Sequence, residues 1–257
     1  MSKEPYYFDP NEYEFNVDSK HGVYIIHGFT NTTYETKDLA EYLGSQGFYT
    51  KAINLPGHGT TPEDCNRVEY TDWLEYTEQG VAEMAARCDS IFVVGVSMGS
   101  VLALHLSSLF PLNAAVFAST VLEFKDYFGT RILTPLLHKF IPFRHKRLSY
   151  SKKIRDELHF FGYKVWPMSA VNEMRKLTNL VRSELTKVKC PALQLHSKID
   201  LLSIPENISL VYEGISSETK KQVLLEKAGH NLFIYSPDQV DVFKEIEEFF
   251  ISHKTPG

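Results

Sequence analysis

The stretch "SIFVVGVSMGS", residues 90–100, sets a serine between two glycines directly after a run of apolar residues. The apolar run predicts a buried strand, and "GSVLALHLSSLF" (99–110) predicts a helix that stops before Pro111. Ser97 then lies on the turn between them and fits the pattern G-x-S-x-G. A nucleophile on such a turn needs glycine neighbours, because its strained backbone leaves no room for side chains. A serine that is merely small enough for a tight turn would fit the pattern too.

Short apolar runs recur along the chain and alternate with amphipathic stretches. The runs that predict strands are 22–29, 48–55, 90–97, 114–120, 192–200 and 221–230. The stretches that predict helices are 35–47, 71–88, 99–110 and 237–253. Strands rich in Val, Ile, Phe and Leu are typical of sheets that are buried on both faces. The pattern therefore predicts the α/β class, with a mostly parallel central sheet and helices on both faces.

One region breaks this alternation. From Val121 to Lys189 the sequence is helical in pattern, aromatic and interrupted by three prolines, with no buried-strand pattern. It predicts a small helical cap inserted at 121–189 over one end of the sheet, with the core formed by 1–120 and 190–257. Its basic run "FRHKRLSYSKKIR" (143–155) is either a solvated face or a surface that attracts anionic substrates or a membrane.

Length, composition and charge indicate which class of protein this is. The chain has 257 residues, 43% hydrophobic and 23% charged, which suits one globular α/β domain with an insertion. A formal net charge of −5 gives no reason to expect nucleic acid as a partner. Three cysteines without C-x-x-C spacing predict buried thiols and a reducing compartment. Neither a signal peptide nor a span of membrane length stands out, so we expect a cytoplasmic protein without membrane insertion. The sequence indicates no oligomeric state.

A serine nucleophile needs a base, and the base needs an acid. His230 in "EKAGHNL" (226–232) follows the last predicted strand, and Asp200 ends "LQLHSKID" (193–200) after another. Both positions lie at the carboxyl edge of the sheet, as Ser97 does, and the order Ser…Asp…His is typical of this architecture. We interpret Ser97 as nucleophile, His230 as general base and acid, and Asp200 as the orienting acid. A local loop contact for the histidine and a capping role for the aspartate are the alternatives.

An oxyanion site needs two backbone amides. The residue after the nucleophile, Met98, supplies one candidate. The loop "IIHGFTNT" (25–32) supplies the other, the N–H of Phe29, and Gly28 lets the backbone approach the substrate. His27 precedes this turn, and we expect it to hold neighbouring loops together rather than to transfer protons.

The motifs together resemble a known superfamily. They are "HGFT" (27–30), "LPGHG" (55–59), "GVSMGS" (95–100), "CPALQLHSKID" (190–200) and "AGHNL" (228–232). The sequence resembles an α/β-hydrolase, and within that superfamily the bacterial carboxylesterases and monoacylglycerol lipase-like enzymes. The resemblance implies an α/β-hydrolase fold, Phe29 and Met98 as oxyanion donors, and a cap near 121–185. The sequence departs from the family pattern at Ser100, where a further glycine is common, and in "HSKID", where a glycine commonly follows the histidine.

The function that we expect is a serine carboxylesterase, which hydrolyses small-molecule esters of short-to-medium acyl chain through an acyl-enzyme intermediate. Apolar cap residues, including Phe128, Leu136 and Trp166, are candidates to wall the acyl pocket, although such residues also pack a cap against a core. The alternatives are a monoacylglycerol lipase-like enzyme, a thioesterase, C–C bond hydrolase or acyltransferase, and a non-catalytic binding protein on the same fold. We predict no cofactor and no metal, since His27 and His58 lie in separate loops without carboxylate or cysteine company.

Overall fold

A computed structural model describes residues 9–146 and 162–255. Its strands are β1 (Tyr13–Phe15), β2 (His21–Ile26), β3 (Tyr49–Ile53), β4 (Ser90–Val96), β5 (Ala114–Ala118), β6 (Phe143–His145), β7 (Val165–Pro167), β8 (Ala192–Ser197) and β9 (Lys220–Leu225). Its α-helices are α1 (Lys37–Ser45), α2 (Pro62–Cys65), α3 (Tyr70–Ala85), α4 (Met98–Leu109), α5 (Thr134–Leu137), α6 (Met168–Glu184), α7 (Glu206–Gly214) and α8 (Gln239–Ile251). Single helical turns lie at Thr33–Glu35, Gly129–Leu133 and Leu185–Lys187.

Seven strands form one sheet in the order β1-β3-β2-β4-β5-β8-β9. Only the edge strand β1 runs antiparallel to its neighbour, and every other pairing is parallel. The predicted mostly parallel sheet is thus confirmed. Because parallel strands end at the same edge, the loops after β2, β4, β8 and β9 lie along one rim of the sheet.

Alternate residues of the central strands pack into two separate apolar layers. On β4, Val93 packs with side chains of α3, α4 and α6, whereas Val94 packs with those of α1 and α8. All seven residues of β4 are buried, which explains why its sequence is a continuous apolar run. Full burial of each such side chain contributes about 1.5–3 kcal/mol to folding. Because β4 is packed on both faces, its position in the core is fixed, and so is the position of the turn that follows it.

The described residues of the segment 121–189 form more than helices. Strands β6 and β7 pair antiparallel in a small ribbon that the sequence pattern did not indicate. These strands have three residues each and are mostly half-buried or exposed, so no apolar run marks them. Helix α6 buries Met174, Leu177 and Val181 in the same layer as α3 and α4. Helix α6 therefore packs on α3 and α4 and contributes to the apolar layer that covers one face of the sheet. Most of the basic run 143–155 lies outside the described residues.

The cysteine side chains are unpaired, with Cys65 and Cys190 buried and Cys88 half-buried. Across residues 9–146 and 162–255, no helix combines the length and the apolar character needed to cross a bilayer.

Candidate active site

The turn between β4 and α4 holds Ser97 in a strained conformation. Its φ is 57° and its ψ is −114°, in a region that residues with a Cβ rarely occupy. The flanking glycines are required by close backbone approach. A Cβ on Gly95 would lie 2.0 Å from the carbonyl oxygen of Gly99, and a Cβ on Gly99 would lie 2.2 Å from that of Ile26. The backbone of the turn and of β2 therefore leaves no room for a side chain at either position, as the glycine pattern predicted.

Ser97 is the N-cap of α4, a helix of 12 residues. The first N–H groups of a helix have no partner within it, and they carry partial positive charge. The Met98 N–H is the first of them. Ser97 itself is mostly buried, with 8% of its surface exposed, and its N–H donates to the Ala118 carbonyl of β5 at 2.9 Å. Ser97 thus lies beside a group of amides suited to a developing negative charge.

Asp200 and His230 are brought together by the loops after β8 and β9. The Nδ1 of His230 lies 2.7 Å from the Oδ2 of Asp200. The other carboxylate oxygen, Oδ1, accepts the N–H groups of Leu202 at 2.8 Å and Ser203 at 3.0 Å. Because Asp200 accepts from Nδ1, the neutral imidazole of His230 carries its lone pair on Nε2. That nitrogen is the one available to take a proton.

The carboxylate of Asp200 stays ionised although its side chain is 1% exposed. Burial alone would raise its pKa, but the hydrogen bond and charge of His230 and the two loop amides together lower it. A second histidine, His196, is buried nearby, with its Nε2 3.9 Å from Asp200 Oδ2. Burial lowers the pKa of His196 and keeps it neutral, so it does not compete for the charge of the aspartate.

The end of β5 connects the serine turn to the histidine loop. Ala118 accepts the Ser97 N–H, and the next residue, Ser119, donates its Oγ–H to the His230 carbonyl at 2.8 Å. Ser119 also has a positive φ of 45°. Ser119 is not among the site residues predicted from the sequence. Its one signal is a polar residue directly after a buried strand at the functional edge of the sheet.

The loop after β2 carries Phe29, the second predicted oxyanion donor. The space where Gly28 would carry a Cβ lies 3.1 Å from the Cβ of Ser97, so this loop passes directly over the nucleophile. His27 bonds the backbone at both ring nitrogens: Nδ1 contacts Gly28 O at 2.8 Å, and Nε2 accepts from Leu55 N–H at 3.1 Å. Burial lowers the pKa of His27 to about 4. It is therefore a neutral residue that holds two loops together, as expected.

Aromatic rings surround the Phe29 side chain. The Trp166 ring, from β7, stacks on Phe29 with centroids 6.0 Å apart. The rings of His58 and Trp73 meet Phe29 edge-on. His58 is buried, and burial with the nearby His27 lowers its pKa to about 3. This cluster places Trp166 beside the candidate oxyanion loop.

The other two predicted pocket residues are mostly exposed. Phe128 is 62% exposed and Leu136 is 67% exposed. They belong to an exposed apolar stretch that also includes Tyr127, Ile132, Leu133, Leu137, Phe140 and Ile141. Within the described ranges, no group of three His, Cys, Asp or Glu side chains is arranged to hold a metal ion.

The fold and the arrangement of the site define an α/β-hydrolase. One solved structure, from work on the metagenome-derived lipolytic enzymes LipS and LipT, superimposes with a TM-score of 0.85 at 25% identity, covering 95% of this chain and 98% of that one. Residues 18–236 match the Hydrolase_4 family (serine aminopeptidase, S33), and the chain belongs to this family.

Two curated relatives match over nearly their whole length. A thermostable monoacylglycerol lipase from Bacillus sp. (strain H-257) is 28% identical over 249 residues, or 90% of this chain and 91% of the relative. A carboxylesterase from Bacillus subtilis (strain 168) is 24% identical over 226 residues, or 86% and 88%. The protein is an enzyme of the esterase and monoacylglycerol lipase type of α/β-hydrolase.

Proposed function

We propose that the protein is a serine carboxylesterase that hydrolyses small carboxylic esters of short-to-medium acyl chain. The observation that carries this proposal is the strained Ser97 at the N-terminus of α4, on the same rim as a histidine oriented by a buried carboxylate at 2.7 Å. A turn serine with no chemical role would require neither the strain nor the aspartate–histidine pair.

In the proposed reaction the Ser97 Oγ attacks the ester carbonyl carbon while His230 Nε2 takes the hydroxyl proton. The tetrahedral oxyanion accepts hydrogen bonds from the N–H groups of Phe29 and Met98. Asp200 stabilises the imidazolium that forms. The proton then passes from His230 to the departing alkoxide, which leaves as the alcohol, and an acyl-enzyme remains on Ser97.

Water completes the cycle by the same steps in the same order. His230 takes a proton from water, the hydroxide attacks the acyl carbon, and the second oxyanion collapses with return of the proton to Ser97. The products are a carboxylic acid and free enzyme. We propose that Gly28 and Trp166 contact the ester near the reacting carbon, and that Phe128 and Leu136, as part of a cap at 121–189, contact the acyl chain. The three unpaired cysteines favour a reducing compartment, and we propose the cytoplasm.

The chain-length preference separates this proposal from a second candidate. A monoacylglycerol lipase-like activity is favoured by the 28% identity to such a lipase and by the exposed apolar stretch on the cap. We would measure hydrolysis of p-nitrophenyl esters from acetate to palmitate, and of glycerol monoesters over the same range. The matched control is Ser97→Ala.

We expect a maximum at short or medium chains and a loss on the order of 10⁶-fold in kcat in the Ser97→Ala variant. A maximum at long chains with preference for glycerol monoesters would instead identify the lipase. Activity that survives the substitution would contradict the serine mechanism for both candidates.

A further inference from the structure

Glu35 is a buried acidic residue that the proposed mechanism does not use. It ends the helical turn Thr33–Glu35 that follows the oxyanion loop, and only 1% of its surface is exposed. Its Oε2 accepts the N–H of Gly28 at 2.6 Å. Its other oxygen, Oε1, has no hydrogen-bond partner among the described residues. Burying a carboxyl oxygen without a hydrogen-bond partner costs free energy, which indicates a specific role for Glu35.

The contact to Gly28 bears directly on the oxyanion site. Glycine has more backbone freedom than any other residue type. The two peptide planes that flank Gly28 set the direction of the Phe29 N–H. His27 Nδ1 and the Asn31 N–H bond the Gly28 carbonyl at 2.8 Å and 3.2 Å. In a trans peptide, the Phe29 N–H points opposite to that carbonyl. Those bonds fix the plane after Gly28, and Glu35 fixes the plane before it.

Glu35 is also near the nucleophile. The point where a Gly28 side chain would begin lies 3.1 Å from Glu35 Oε2 and 3.1 Å from Ser97 Cβ. A negative charge on Glu35, so close to Ser97, would oppose the oxyanion that forms there. Burial raises the pKa of Glu35, and this effect outweighs the opposite effects of the Gly28 N–H, the nearby Asn31 side chain and the charges of His230 and Lys146. A neutral carboxylic acid accepts the same hydrogen bond without that charge.

We propose that Glu35 is a positioning residue that orients the Phe29 N–H of the oxyanion hole by holding the Gly28 N–H. This inference rests on the proposed serine esterase mechanism. Its chemical requirement is a hydrogen-bond acceptor at the position of Oε2. Glutamine meets that requirement, because its amide oxygen can take the place of Oε2. Methionine has nearly the same length and no acceptor of comparable strength.

The test compares Glu35→Met and Glu35→Gln with the wild type in p-nitrophenyl butyrate hydrolysis, with kcat, KM and Tm measured for each. We expect Glu35→Met to lower kcat by about 10-fold or more with KM changed by less than about threefold, because the lost interaction acts on the transition state. We expect Glu35→Gln to retain kcat within about threefold of the wild type. Should Glu35→Met fail to fold, Glu35→Asp provides the same test, since its shorter side chain withdraws from Gly28.

A second buried glutamate provides the control. Glu184 is 7% exposed and bonds His105 Nδ1 at 2.8 Å, so Glu184→Met removes a comparable buried acceptor from another partner. It should lower Tm and leave kcat unchanged. The inference is overturned if the methionine or aspartate variant of Glu35 keeps the wild-type kcat, or if glutamine loses as much kcat as methionine. Absence of Ser97-dependent hydrolysis in the wild type would instead refute the proposed function, and the role of Glu35 with it.

Discussion

Replacing Asp200 with asparagine should inactivate the enzyme through the tautomer of His230 rather than through loss of packing. Oδ1 of Asp200 accepts two backbone N–H groups, from Leu202 at 2.8 Å and Ser203 at 3.0 Å. In Asp200→Asn the amide oxygen must occupy that position, since an NH₂ group there would face two donors. The NH₂ group then points at His230 Nδ1, 2.7 Å from the present Oδ2.

The consequence for catalysis follows from this forced orientation. His230 must accept at Nδ1 and carry its proton on Nε2, so it can no longer remove the proton of Ser97. We expect kcat for p-nitrophenyl butyrate to fall on the order of 10⁴-fold. KM should change by less than about threefold, because the aspartate does not contact substrate. The residual rate should stay above that of Ser97→Ala, which sets the floor of the assay.

Asp238 offers a matched control, because it also accepts backbone N–H groups from the loop that carries His230. Its Oδ2 accepts the N–H groups of Lys227 at 3.2 Å and Ala228 at 2.9 Å. In Asp238→Asn the amide oxygen keeps both bonds, and kcat should stay within about twofold of the wild type. The reasoning is refuted if Asp200→Asn keeps kcat within tenfold of the wild type, or if the two substitutions have equal effects.

Three further predictions concern stability and the pocket. The pKa of His58 is about 3 when folded and ~6.5 when unfolded, so the unfolded chain binds more protons and wild-type stability should fall as pH drops from ~6.5 towards 3. His58→Phe should flatten that decline in Tm, and an unchanged decline would contradict this. Gly99→Ala should destabilise by about 3 kcal/mol or more, because its Cβ would lie 2.2 Å from a carbonyl oxygen. Gly47→Ala, at φ +90° with no atom within 4 Å, should cost only about 1–2 kcal/mol in denaturant titrations, and equal costs would refute the steric argument. Trp166→Ala should raise KM for the butyrate ester about tenfold, because it removes the ring that stacks on Phe29 beside the proposed site. An unchanged KM would contradict the proposal that Trp166 contacts substrate.

The sheet and the serine turn could be predicted because their sequence signals are local. Strand β4 is buried on both faces and is therefore apolar throughout, and the turn glycines are required by contacts that no other residue tolerates. The positions of Asp200 and His230 followed from strand order, since parallel strands bring their carboxyl ends to one edge.

Features that depend on tertiary contacts could not be predicted in this way. Strand β1 has three residues on a sheet edge, too few for a periodic pattern. Glu35 lies in a run of polar residues, and nothing local distinguishes a glutamate that will be buried beneath a loop from one that faces solvent. The apolar character of Phe128 fits a pocket wall and an exposed surface equally well, and only the folded arrangement shows its 62% exposure.

Covalent labelling can establish whether Ser97 is the nucleophile. The enzyme would be treated with a fluorophosphonate, digested, and analysed by peptide mass spectrometry, with Ser97→Ala and Asp200→Asn in parallel. We expect one phosphonyl adduct, on Ser97, with none on the alanine variant and much slower labelling of Asp200→Asn. An unlabelled wild type, or an adduct on another residue such as Ser100, would contradict the claim that Ser97 is the nucleophile.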